Sequence, residues 1–246
     1  MKHSPNTADF RNATIRTSAG FTLLELLISL LILAIVSGAV FEQINRMQKR
    51  SSSEAMKLDL NQQAREFLDQ TVSDLHMAGY PGASMYSNPL ASPSKVAAGL
   101  VSVSPTQILL EGDVNNDGSV YSVNISYVAN DPNDPNCPCV RRSAAAKVDA
   151  GPFSQPTSLA YTETEHIFPP GAGPGQSGED LFAYYDQNGN AIDVSSGVDI
   201  STPAGQNVIA LIKTVKINLS LLTNQRDPES GGYVRSAMSA TARLNY

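Results

Sequence analysis

Tryptophan is absent from the 246 residues, histidine occurs three times (His3, His76, His166) and cysteine twice (Cys137, Cys139). So few nitrogen and sulfur donors leave no set of spaced pairs for a zinc ion. Cys137-Pro138-Cys139 holds one residue between its cysteines, where a thioredoxin-type redox site holds two. There is no Gly-x-Ser-x-Gly elbow and no phosphate loop, and His166, within Thr-Glu-His, has no identifiable catalytic partner. Glu163 and Glu165 read as solvated loop acids rather than a glycosidase pair. The expectation is no cofactor, no metal and no enzymatic activity. Positive charge is scarce as well: 17 Lys and Arg against 23 Asp and Glu give a net charge of −6. No broad basic field exists for nucleic acid, and none is expected as a partner.

Two further absences shape the first third of the chain. No proline lies between Pro5 and Pro81, and Glu25 is the only ionisable side chain from Phe21 to Phe41. The run FTLLELLISLLILAIVSGAVF rises about 1.5 Å per residue as a helix, enough to cross a hydrocarbon layer about 30 Å thick. A core helix of a soluble domain carries polar residues every third or fourth position, whereas this run is apolar all round. A membrane-spanning helix is therefore predicted. Residues 1–20 are polar and carry Lys2, Arg11 and Arg16 against Asp9. In an ordinary secretory signal the apolar stretch precedes the cut and is discarded; here the small residue Gly20 precedes it, so a cut there keeps the helix. Arg46, Lys49, Arg50 and Lys57 follow the run, so charge alone does not orient it. A lone carboxylate such as Glu25 costs about 2.5–3.5 kcal/mol near mid-membrane and less near the edge. No partner for it is expected within one turn of its own helix.

Without a proline break the helix is expected to run from Phe21 to about Ala78. Its second half, residues 42–80, is amphipathic: Leu60, Ala64, Phe67, Leu68, Val72, Leu75 and Ala78 recur every three or four positions. Arg65, Glu66, Asp69 and Asp74 fall largely outside that stripe. Gly79-Tyr80-Pro81-Gly82 supplies a left-handed cap and a stop. Ser37-Gly38 and Ser51-Ser52-Ser53 are the places where the helix is expected to loosen. Beyond Gly82 the period falls to two in Val120–Tyr127 and Val215–Leu221, with further strand candidates at 107–111, 181–185 and 233–244. Breaker-rich stretches at 82–99, 129–138 and 168–178 read as surface loops. The fold class is α+β: a long helix packed on a mostly antiparallel β-sheet head, residues 81–246.

Two head motifs carry possible chemistry. Asp113-Val114-Asn115-Asn116-Asp117-Gly118-Ser119 matches the first half of a calcium loop, but its twelfth position is Asn124, inside a strand. A tight hairpin turn at Asp117-Gly118 accounts for the same letters. Tyr184–Asn190 reads as a second hairpin. Cys137 and Cys139 can form a small ring, remain two free thiols, or link to a partner.

Gly20-Phe21-Thr22-Leu23-Leu24-Glu25, continuing into Leu26-Leu27-Ile28, resembles the signal of type IV prepilins and pseudopilins. The resemblance implies that a prepilin peptidase cuts between Gly20 and Phe21 on the cytoplasmic side and methylates the new Phe21 amine. It also supplies a partner for Glu25: the positive α-amine of Phe21, on a neighbouring subunit or the same chain, as helices bundle in a filament. Residues 1–20 are then the leader and 21–41 the transmembrane and filament-core half of the helix. Loss of the leader leaves 14 basic and 22 acidic side chains, a net charge of −8. Gln62-Gln63-Ala64-Arg65-Glu66-Phe67-Leu68, Asp74–Pro81 and the carboxy-terminal Thr241-Ala242-Arg243-Leu244-Asn245 are similar to PilW-like minor pilins. Type II secretion pseudopilins of the J type share the helix pattern. The resemblance implies a minor pilin of a type IV pilus, held in the inner membrane by one span with a periplasmic head, then inserted in the filament beside other pilin subunits. The alternatives are a type II secretion pseudopilin, or a tip adhesin or DNA-uptake pilin using loop 129–138 or 168–178.

Overall fold

A chain with no proline over so many residues forms one uninterrupted helix: α1 runs Leu23–Met77, 55 residues. The computed structural model describes residues 20–87, 93–156, 160–168 and 179–245. The leader up to residue 19 and most of loop 168–178 lie outside the described residues. The chain divides after Gln48 into two units. In the first, residues 20–48, the large apolar side chains are exposed, Phe21 and Leu23 at 83% and 82%. One window of α1 is long and apolar enough to cross a membrane, and none of it is buried.

In the second unit, residues 49–246, α1 shows the expected stripe: Leu60, Ala64, Phe67, Leu68 and Leu75 are buried, as is Ala78 just past its end. Two places depart from expectation. The helix continues through Ser51-Ser52-Ser53 without a break, and Ser53 is fully buried. Asp74, expected outside the stripe, is also fully buried, because strand residue Arg142 reaches it. The helix ends at Gly79, whose φ of +82° suits glycine and whose N–H donates to Glu111 O at 2.9 Å.

The strands follow as β1 (Gly99–Val103), β2 (Gln107–Gly112), β3 (Tyr121–Val128), β4 (Cys139–Ala146), β5 (Tyr161–Thr164), β6 (Phe182–Tyr185), β7 (Ala191–Ile192) and β8 (Val198–Asp199). A short helix α2 (Pro203–Leu211) and the long pair β9 (Thr214–Arg226) and β10 (Tyr233–Arg243) complete the chain. One sheet has the order β5-β4-β3-β2-β1-β8 and the other β10-β9-β6-β7, with all pairs antiparallel. The architecture is α+β and pilin-like. Ile108, Leu110, Val123, Ile125 and Val140 from one sheet meet Phe182, Ile217, Leu219 and Leu221 from the other and the α1 stripe in a single core. At Gly112 the sheet touches the end of the helix: a Cβ there would collide with Met77 O.

The strand candidates at 107–111, 120–127, 181–185, 215–221 and 233–244 all form strands, with ends moved by a few residues. Missed were β1, β4, β5, β7, β8 and α2. β4 reads Cys-Val-Arg-Arg-Ser-Ala-Ala-Ala, with little intrinsic strand preference; pairing with β3 on one side and β5 on the other makes it a strand. Of the Thr-Glu-His stretch, expected as a loop, Thr164 is the last residue of β5, while Glu165 and His166 lie beyond the strand, and His166 N–H donates to Asn136 O at 3.2 Å.

Candidate functional site

Gly20 and Phe21 are exposed, and among the described residues a Cβ at Gly20 would meet nothing within 4 Å. The helix begins at Leu23, with Thr22 as its cap. Thr22 O accepts from Glu25 N–H at 3.1 Å and Leu26 N–H at 3.2 Å. The Thr22 hydroxyl accepts from Glu25 N–H at 3.3 Å. In return the Glu25 carboxylate accepts from Thr22 N–H at 3.4 Å and from the Thr22 hydroxyl at 3.5 Å. This reciprocal arrangement is a capping box: each of the two side chains satisfies a backbone donor that the first helical turn leaves open.

The expectation that Glu25 lacks a partner within one turn is therefore corrected. Thr22, three residues earlier, is that partner, and the Thr-x-x-Glu spacing in the sequence is the signal that reveals it. The carboxylate also sits at the positive end of the helix dipole. These bonds are long and exposed, so they hold the acid in place without saturating it. Further along, Ser29 Oγ donates to Glu25 O at 2.7 Å, which returns one hydroxyl to the backbone inside an apolar run. Ala34, Ser37, Gly38 and Ala39 follow, with open space beside Gly38. Polar pairing begins past the apolar run, where Arg46 meets Glu42 at 2.5 Å.

The other candidate residues do not assemble into a reactive centre. Asp113, the first position of the calcium-like loop, is almost fully buried, and its carboxylate accepts from Asp117 N–H at 3.0 Å and Gly118 N–H at 2.9 Å. Asp117 is bonded first by the Tyr121 hydroxyl and then by Ser119 N–H, which hold its carboxyl below the usual range. Asp113 is thus turned onto its own loop's backbone, and Asp117 onto Ser119 N–H and the Tyr121 hydroxyl. The loop is a β2–β3 hairpin connection, with Gly112 opposite Tyr121; it is longer than the two-residue turn expected. Tyr184–Asn190 is the β6–β7 hairpin, closed by Asp186 accepting from Asn188 N–H and Asn190 N–H at 2.7 and 2.9 Å.

Cys137 and Cys139 form a disulfide, the first of the three states the sequence allowed. The Asp134 carboxylate and the two sulfurs lie within 4.8 Å of one another. Both sulfurs are joined to each other, and Arg141 occupies the carboxylate at 3.2 Å, so the cluster is a cross-link beside an ion pair. Arg141 also meets Asp131 at 2.5 Å. Asp131 is held low chiefly by Asn133 N–H and then Arg141, and Asp134 chiefly by Asn136 N–H. Loop 129–138 is pinned at its base by these contacts. Two buried pairs tie distant segments together: Asp74 with Arg142 at 2.7 Å, and Glu111 with Lys147 at 2.5 Å.

No curated protein and no solved structure matches the chain. Residues 15–41 match the family described as the prokaryotic N-terminal methylation motif, so the chain carries a type IV pilin-like prepilin signal ahead of its capped apolar helix.

Proposed function

We propose that this chain is a minor pilin of a type IV pilus, of the PilW-like kind, acting as an assembly component without enzymatic activity of its own. The observation that carries the reading is the junction, at the matched signal, of an exposed Gly20–Phe21 bond with an apolar run whose only acid from Phe21 to Phe41 is Glu25. Before assembly the helix lies in the inner membrane as a single span, with the head on the periplasmic side. Prepilin peptidase adds water across the Gly20–Phe21 peptide bond, leaving the Gly20 carboxylate on the leader and a free amine on Phe21, which is then methylated.

The new amine changes the electrostatics of the first turn. Among the described residues the Glu25 carboxylate accepts only from neutral Thr22 donors, the N–H at 3.4 Å and the hydroxyl at 3.5 Å. A cationic amine on Phe21 offers a charge-assisted bond that is stronger than a neutral one. In low dielectric, leaving either charge alone is costly, so helices exchange lipid for one another with Glu25 and the amine in register. Ala34, Ser37, Gly38 and Ala39 permit close approach of neighbouring helices.

The test is mass spectrometry of the mature protein. Beginning the chain at a methylated Phe21, with a Gly20→Asp variant retaining residues 1–20, supports the proposal. An unsubstituted protein that retains the leader in cells with active peptidase refutes it. A Glu25→Ala protein recovered in sheared filaments at the normal level removes the pairing role.

A further inference from the structure

The two sheets have four outer edges, and three of them are short: β5 has four residues, and β7 and β8 have two each. The fourth, β10, has 11 residues. Natural sheets blunt long edges with proline, lysine, bulges or covering segments, because an open row of N–H and C=O groups recruits another strand. β10 has no proline and no lysine, and its one irregularity lies at the start, between Tyr233 and Arg235.

The register shows which backbone groups are open. On β9, Asn218 N–H donates to Leu181 O, Leu222 N–H to His166 O, and Ser220 O accepts from Phe168 N–H. Even-numbered β9 residues therefore turn away from β10, and odd-numbered ones turn toward it. Their partners Ser236, Met238, Ala240 and Ala242 use their backbone groups inward. It follows that Arg235, Ala237, Ser239, Thr241 and Arg243 direct N–H and C=O off the free edge. All five are exposed, and among the described residues none of their backbone groups meets a partner.

Charge narrows the choice of what docks there. β9 and β10 carry Lys216, Arg226, Arg235 and Arg243 and no acid, in a chain of net charge −6. Lys216 meets Glu179 at 3.4 Å; Arg235 donates to the Ser220 hydroxyl at 3.0 and 3.2 Å and lies over the Phe168 ring, and among the described residues neither it nor Arg243 meets an acid. If two copies paired antiparallel about Ser239, Arg235 of each would stand opposite Arg243 of the other, and like charges directly opposite destabilise a pair. A different strand with an acid at each end matches both arginines, and the small uncharged side chains between them leave it room.

We infer that the free edge of β10 is a strand-addition site for the head of a different pilin subunit, which contributes an extended segment flanked by acidic residues. This rests on the proposal that the chain assembles with other pilins, and the mode is main-chain augmentation, with affinity from the backbone and selectivity from the two arginines.

The experiment places the photoreactive residue p-benzoylphenylalanine at Ala237 of the full-length chain in piliated cells. Adducts and the amino terminus are read by mass spectrometry from the same sample. The expected adduct joins Ala237 to a strand of another chain bearing the same amino-terminal signal. Ser239→Pro removes an outward N–H without touching the β9 pairing and should lower that adduct about tenfold or more, while Ser239→Ala leaves it unchanged. Arg235→Glu with Arg243→Glu should lower it similarly, with recovery when the partner's flanking acids become lysine. An adduct between two copies of this chain overturns the proposal. So does an adduct indifferent to both the proline and the charge reversal, or its absence from a sample that begins at Phe21. A sample that retains residues 1–20 overturns the pilin reading and this inference with it.

Discussion

Replacing Arg142 by methionine should destabilise the head far more than an ordinary surface change. Arg142 sits on β4 and grips Asp74 of α1 with two bonds, Nε to Oδ2 at 2.7 Å and Nη2 to Oδ1 at 3.2 Å. Asp74 is fully buried and the Arg142 side chain is 17% exposed, so water replaces neither partner easily. After Arg142→Met the carboxylate keeps, among the described residues, only Gln70 Nε2 at 2.9 Å. Breaking a buried pair from one side costs about 3–5 kcal/mol. A domain of this size loses about 2–4 °C of melting temperature per kcal/mol, so the midpoint should fall by about 6–20 °C. Removing both charges with Asp74→Leu and Arg142→Met should recover most of that loss, because an apolar pair in place of a buried ion pair is close to neutral. The assay is urea and thermal unfolding of the full chain in detergent, followed by the fluorescence of its nine tyrosines, which no tryptophan masks. A loss below about 1 kcal/mol for Arg142→Met, or a double variant as unstable as the two single losses added together, would refute the reasoning.

Gly112→Ala should destabilise the head by about 1–3 kcal/mol or more, since the new methyl runs into Met77 O at the helix end; urea midpoints check this, and an unchanged midpoint contradicts the contact. Asp227, bonded first by the Ser230 hydroxyl and then by Glu229 N–H, has its pKa lowered from 3.8 to about 2. Its folded-state pKa lies below the unfolded one, so its contribution is complete above about 4 and fades as pH falls through about 2. The stability gap between the natural protein and Asp227→Asn should therefore narrow between pH 4 and pH 2; a gap that stays constant over that window argues against the assignment. Thr22→Ala removes the cap at the start of α1, worth about 1 kcal/mol, and should speed amide exchange at Glu25 about fivefold. Exchange measured in micelles that shows no change there would dismiss the capping box.

The prepilin-type signal was legible because it is local. Gly20, Phe21 and Glu25 sit within a single short string, and even the Thr22–Glu25 box is a spacing of three. The head was legible wherever one face of a strand is buried, as in β3 and β9, since alternation then appears in the letters. It was illegible where both neighbours of a strand impose its conformation. Arg141 and Arg142 in β4 carry no pattern that names their partners, yet one pins Asp131 and Asp134 and the other crosses to Asp74, 68 positions away.

The amino-acid order alone determined that a long helix forms, that its first half is apolar on every side, and that a small residue stands at the place where a cut would keep it. Those properties depend on helical periodicity and on the solvent, which are the same wherever the segment lies. Only the tertiary structure decided that Asp74 and Glu111 are buried and matched, that Asp113 spends its carboxylate on the backbone of its own loop, and that β10 is the sheet edge left open. Each of these depends on which segments, far apart along the chain, come to lie side by side, and burial and strand order exist only once they do.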